Sequence, residues 1–183
     1  MTSFMYFIIY SFIGFILETL YTLLTKGIFK MKKCFLLNCL CPVYGVGALL
    51  IIYTTRKITN NKLLTCVVGS VVATAIELIF GFFYTELLNA QVWNYSQNIL
   101  NFSGHISVLY SFFWSILTLI LVYVVHPVVK KNILNKKIPR PALIFVIIFV
   151  SLDFVFSCFF MKKYKTSKAL SISWLINHWL IFK

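Results

Sequence analysis

Four residues of this chain can act as acids, and all four fall inside apolar runs. Glu18 lies in Phe4–Thr25, Glu77 and Glu86 lie in Leu63–Leu88, and Asp153 lies in Pro141–Met161. The 17 Lys and Arg all lie outside these runs. A soluble protein spreads its acids over a wet surface. A carboxyl at membrane depth is costly, so it faces a bundle interior or a water-filled cavity and finds a partner there. Two carboxyls near each other in low dielectric resist ionising together, so one keeps its proton or a cation sits between them. The chemistry open to these acids is handling of a proton, an ion or a polar substrate inside a membrane. The bland alternative is that each is a protonated group that glues helices together.

Spacing sharpens this reading. Ser11, Gly14, Glu18, Tyr21 and Thr25 recur at intervals of three and four, as do Ser70, Thr74, Glu77, Gly81 and Tyr84. Each set lies on one helix face. Small residues let helices approach, and polar ones bond across the contact. We expect these two faces to meet or to line a shared cavity, with Glu18 and Glu77 inside it. Asp153 and Ser157 form a smaller polar pair one turn apart. The candidates for a substrate or ion path are therefore Glu18, Tyr21, Ser70, Thr74, Glu77, Tyr84, Asp153 and Ser157.

The elements that must position these groups follow from composition. The chain is 61% hydrophobic and 11% charged, with a mean hydropathy of +0.92. Ordinary globular domains are roughly half apolar and a quarter charged, so that class is excluded. Several runs approach the ~20 apolar residues that cross a bilayer. The alternating ~10-residue strands of a membrane barrel are absent from the sequence. The expectation is an all-α, polytopic helical membrane protein. Its hydrophobic segments are Phe4–Thr25, Cys34–Tyr53, Leu63–Leu88, Ile106–Val129 and Pro141–Met161. The second is interrupted by Cys41-Pro42-Val43-Tyr44-Gly45-Val46-Gly47, so it is broken or re-entrant. From Pro42 to Thr55 a helix would measure about 21 Å, short of the ~30 Å hydrocarbon core. Cys41, Pro42, Tyr44, Gly45 and Gly47 mark this broken segment. No Lys or Arg precedes the first run, which reads as a retained helix rather than a signal peptide. Residues 1–161 form one expected transmembrane domain, followed by a basic tail over 162–183. Within the tail, Leu170–Phe182 reads as a short interfacial helix anchored by Trp174 and Trp179.

A net charge of +13 would suit nucleic acid. The cations, however, flank apolar segments, where they anchor helix ends and meet anionic lipid. The bilayer is the expected partner, and nucleic acid is not. Positive charge gathers on the cytoplasmic side. Five full crossings would divide the cations eight to nine, with no bias. A second segment that enters and leaves on one side divides them twelve to five. That arrangement puts the N-terminus outside a bacterial cytoplasmic membrane.

The loop Asn89–His105 carries no Lys or Arg. Its Trp93, Asn94, Tyr95, Ser96, Gly104 and His105 suit either an interfacial hairpin or a lid over the polar interior. The five Cys at 34, 39, 41, 66 and 158 match no common zinc spacing and read as inert buried thiols. The three His share no ligand spacing, so neither a metal nor a cofactor is expected.

Taken in order, the motifs resemble the ABC-transporter permease family called type IV or CmpB-like. Gly14-Phe15-Ile16-Leu17-Glu18 stands for its Gly-Trp-Leu-Leu-Glu. Cys41-Pro42-Val43-Tyr44-Gly45-Val46-Gly47-Ala48 stands for Cys-Pro-Ile-Tyr-Gly-x-Gly-Ala. Ile76-Glu77, Trp93-Asn94-Tyr95-Ser96, Ser103-Gly104-His105-Ile106, Ser111 with Trp114, His126-Pro127 and Asp153 with Ser157 follow. The resemblance runs over roughly residues 6–160. Asn94 replaces an acid and His105 an Arg, so a charge pair open to relatives is missing. Asn38-Cys39 replaces the usual Gly-Pro.

The resemblance implies a non-enzymatic transporter membrane component. The sequence has no Gly-x4-Gly-Lys-Ser/Thr loop, so ATP hydrolysis would need a separate ATPase subunit. Four or five short helices enclose little volume, which implies a second copy or a homo-oligomer. Two rivals remain open: an accessory or scaffold membrane protein, and an intramembrane enzyme using Glu, Asp or His. The last lacks a nucleophile–base or metal pair.

Overall fold

The structure is a computed structural model that describes residues 2–27, 29, 34–134 and 139–181. Lys30, Lys32, Lys33, Lys136 and Lys137, counted above as flanking charges, lie outside the described residues. So does the Phe182 end of the expected interfacial helix. The helices are α1 (Thr2–Lys26), α2 (Pro42–Thr55), α3 (Lys62–Phe82), α4 (Val108–Ile120), α5 (His126–Leu134), α6 (Arg140–Tyr164) and α7 (Ile172–Ile181). One π-helical turn, Phe83–Leu87, extends α3, and another, Leu121–Val125, joins α4 to α5. Among the described residues, four stretches are long and apolar enough to cross a membrane: Thr2–Thr25, Lys62–Leu87, Val108–Ile133 and Arg140–Tyr164. The architecture is that of an all-α membrane protein, with α2 as a shorter apolar helix.

Local chemistry sets the helix ends. Pro42 opens α2, where its missing N–H is harmless because the first turn has no acceptor for it. Asn61 caps α3 by accepting from the Leu64 amide at 3.0 Å. Lys162 and Lys163 sit in the last turn of α6 against its negative end, and Lys165 closes the helix at φ 52°. The segment between α3 and α4 holds a two-residue hairpin, β1 (Asn101–Phe102) against β2 (Ile106–Ser107).

The chain forms two compact units. The first contains Met1–Ser11, Pro42–Phe82 and Trp93–Lys137. Its core gathers Ile51, Ala73 and Val122, with Trp114 and Tyr123 packed around them. Glycines allow close approach here. A methyl on Gly69 would meet the Thr118 hydroxyl at 2.6 Å, and one on Gly45 would fall on Ser11 and the Phe7 ring. Tyr123 donates to the Thr59 carbonyl at 2.6 Å, so the α2–α3 turn and the end of the α4 span lie together. His126 follows directly. Its Nδ1 is 2.7 Å from the Tyr10 hydroxyl, and its ring is 5.5 Å from that of Tyr6.

These contacts bear on one expectation. The twelve-to-five charge division needed the start of α1 and the basic 130–140 stretch on opposite faces. Tyr6 and Tyr10 bring the start of α1 to the end where that stretch begins. In the first unit, then, the start of α1 lies beside the end of the α4 span.

The second unit contains Phe12–Cys41, Phe83–Val92 and Ile138–Lys183. Phe35 is buried with its ring edge on Phe154, which also stacks on Phe83. At the far end of α6, Tyr164 meets His178 of α7, and His178 stacks on Trp174 at 4.7 Å. Trp179 is exposed. Much of α6 presents large apolar side chains outward, among them Phe145, Ile148, Leu152 and Phe156. In a spanning helix that face is matched to lipid.

Candidate functional site

In the first unit, the polar face of α3 is filled by α4 and the loop hairpin. Ser70 donates to the Ser111 carbonyl at 2.7 Å, and Thr74 donates to the Ser111 hydroxyl at 2.9 Å. One turn further on, Glu77 is 3% exposed, deep in an apolar span. Both its oxygens are engaged. Tyr95 donates its hydroxyl to Oε1 at 2.8 Å, and Trp114 donates its Nε1–H to Oε2 at 2.9 Å. Both of these donors are neutral side chains. Aromatic rings surround the group: Tyr44 of α2 lies 5.5 Å from Trp114, and Tyr95 stacks on Tyr110 at 4.2 Å.

The loop that brings Tyr95 is bonded into a compact unit. The Tyr95 amide donates to the Gly104 carbonyl at 2.8 Å, and Trp93 Nε1 donates to the His105 carbonyl at 2.9 Å. Asn94 turns its side chain onto the Ser96 amide at 2.8 Å, an Asx-turn. Gly104 adopts φ 70°, which only glycine tolerates cheaply. His105 is buried against Gly81, where an added methyl would lie 3.0 Å from its ring, and beside Phe82. Asn94 and His105 thus serve a turn and packing.

The second unit uses its acid differently. Asp153 is 1% exposed at the middle of α6. It accepts from the Leu37 amide at 3.0 and 3.2 Å, the Asn38 amide at 2.8 Å and the Asn38 side-chain amide at 2.7 Å. Ser157 accepts from the Leu36 amide at 2.8 Å and lies 3.4 Å from Asp153 Oδ1. Non-helical backbone at membrane depth must have its N–H groups satisfied within the protein. Asp153 and Ser157 do this for the stretch just before α2. Asn38 adds its own side-chain bond to Asp153 and accepts from the Leu40 amide at 2.9 Å.

One sequence expectation is overturned here. Cys34 and Cys41 are not inert thiols but a disulfide, seven residues apart, that closes the stretch held by Asp153. Cys39, Cys66 and Cys158 are free. Closing so short a loop restricts the unfolded chain by about 2 to 3 kcal/mol. Cys34→Ser should lower the melting temperature accordingly, and a reducing agent should lower that of the unaltered protein to match. No change in either case would contradict the pairing.

The remaining candidates are placed as follows. Glu18 and Tyr21 belong to the second unit; Glu18 is half-buried and Tyr21 exposed. The main-chain carbonyls of both accept hydroxyls one turn on, from Thr22 and Thr25. Tyr84, in the π-helical turn, is buried in the same unit. Gly47 approaches Ile76, with 3.9 Å left for a methyl. Among the described residues, no group of three or more His, Cys, Asp or Glu stands where it could hold a metal.

With this geometry in view, the profile of the family described as "Putative ABC-transporter type IV" matches residues 5–158. The chain belongs to this family. The type IV match takes in both buried acids, the broken segment and the loop hairpin, and ends inside α6. No curated protein and no solved structure matches the chain.

Proposed function

We propose that this type IV family member is the membrane-embedded component of an ABC-type transporter in a bacterial cytoplasmic membrane. On this reading the chain is not an enzyme by itself. It works with a separate ATPase subunit and with a second copy of itself, and Glu77 is the group that meets the transported species. The observation that carries the reading is the Glu77 carboxyl, buried in an apolar span with Tyr95 on one oxygen and Trp114 on the other. An acid kept at membrane depth marks an ion or substrate path by default.

The test is purification in mild detergent with mass spectrometry of what co-purifies. A stoichiometric ATPase supports the proposal. Self-association with no ATPase would contradict it and favour the accessory or scaffold reading.

A further inference from the structure

Two basic stretches far apart in sequence meet at one end of the first unit. Tyr123, near the end of the α4 span, donates to the carbonyl of Thr59 in the turn between α2 and α3, and it lies 3.3 Å from the Thr65 hydroxyl. That turn carries Arg56 and Lys57, and α3 opens on Lys62. The same span runs on through α5, which carries Lys130 and Lys131. All five side chains are exposed. Two of them lie against aromatic rings: the Arg56 guanidinium is 4.3 Å from the Tyr53 ring centre, and the Lys62 ammonium is 6.0 Å from that of Tyr123. A ring face holds a cation without bearing a charge of its own, so this end keeps its positive charge. The sequence of the unit contains a single acid, Glu77, about 22 Å along α3 from Lys62. The loop over 93–107, at the other end of α3 and α4, contains no Lys or Arg.

Like charges gathered on one surface repel each other, and an anion set among them relieves that cost. The apolar neighbours indicate which anion. Tyr53 under Arg56, Leu63 after Lys62 and Val128 before Lys130 are all exposed. A phospholipid carries its phosphate directly over its acyl chains, so it meets cations and apolar side chains together. Basic loops gather on the cytoplasmic side, which gives the leaflet. We propose that Arg56, Lys57, Lys62, Lys130 and Lys131 form one docking surface for anionic phospholipid of the cytoplasmic leaflet. The headgroup phosphates lie among the cations, and the acyl chains run along the exposed apolar side chains. Folding creates this surface, because the contact of Tyr123 with Thr59 is what joins its two halves.

The experiment places the purified full chain in nanodiscs of equal parts phosphatidylglycerol and phosphatidylcholine, and native mass spectrometry reads which lipid stays bound on release. The unaltered chain should retain phosphatidylglycerol in preference. Arg56→Gln, Lys57→Gln and Lys62→Gln together should cut that preference about tenfold. Lys130→Gln with Lys131→Gln, in the other half, should lower it as well. These side chains are exposed, so the variants should fold as the unaltered chain does. The control is Lys162→Gln, Lys163→Gln and Lys168→Gln together, which removes the same charge elsewhere and should leave most of the preference in place. An equal loss in the control would overturn the proposal, because charge alone and not this surface would then select the lipid. Undiminished preference in both loop variants would overturn it too, and loss of a co-purifying ATPase from those variants would then assign the surface to a protein partner.

Discussion

Asp153→Asn is expected to cost on the order of 3 kcal/mol and to lose most folded protein from the membrane fraction. The substitution is nearly isosteric, and that is why it is informative. The two backbone donors converging on Asp153, the Leu37 and Asn38 amides, cannot turn round to accept, and the Asn38 carboxamide can do so only by giving up the bond it accepts from Leu40. An asparagine must therefore set its own NH2 against either the Leu37 amide or the Asn38 amide. The stretch before α2 would be left with an unmet backbone donor in a dry environment, where such groups are expensive. For a chain of this size the loss corresponds to roughly 6 to 12 °C in melting temperature. Detergent gel filtration and a thermal ramp would check it. An unshifted melting curve would show that Asp153 does not hold the broken segment.

Glu77→Gln should behave in the opposite way. A glutamine carbonyl can accept from Trp114, while its NH2 donates to the Tyr95 hydroxyl, which can accept as well as donate. The cradle survives as a neutral network, and stability should stay within about 1 kcal/mol. What disappears is the capacity to ionise. ATP hydrolysis by the co-purified complex should fall about tenfold or more, since the transported species would lose its ionic partner. Glu77→Ala is the harsher change, because it strands both donors, and it should destabilise by about 2 to 4 kcal/mol. Full activity in Glu77→Gln would remove this acid from the transport path.

The long helices were legible because a bilayer demands so much of a sequence. A run such as Lys62–Leu87 or Arg140–Tyr164 has few other uses. The break at Pro42 was legible for the same reason, since proline and paired glycines interrupt a span visibly. The polar face of Ser70, Thr74 and Glu77 was also read correctly as one face. Its neighbours were not, because periodicity says which residues share a face and nothing about what covers it. The covering groups are Ser111 and Trp114 on α4 and Tyr95 from the loop. Ser111 and Trp114 had surfaced as a family motif, which was the available signal. Asp153 was harder to place, because its partners at 36–38 are mainly backbone amides and backbone carries no label in a sequence. The disulfide had no signal either, as three cysteines at 34, 39 and 41 leave the pairing open. Charge counting left orientation open, because five full crossings divide the cations eight to nine and a same-side second segment divides them twelve to five.

The central claim is that the two deeply buried acids have different work: Asp153 builds the broken segment, and Glu77 serves the path. The most direct measurement is thermal stability of Asp153→Asn and Glu77→Gln, purified side by side in one detergent. The account predicts a loss of roughly 6 to 12 °C for the first and no more than about 2 to 4 °C for the second. Equal losses in both would contradict it, and would make Glu77 another structural fastening.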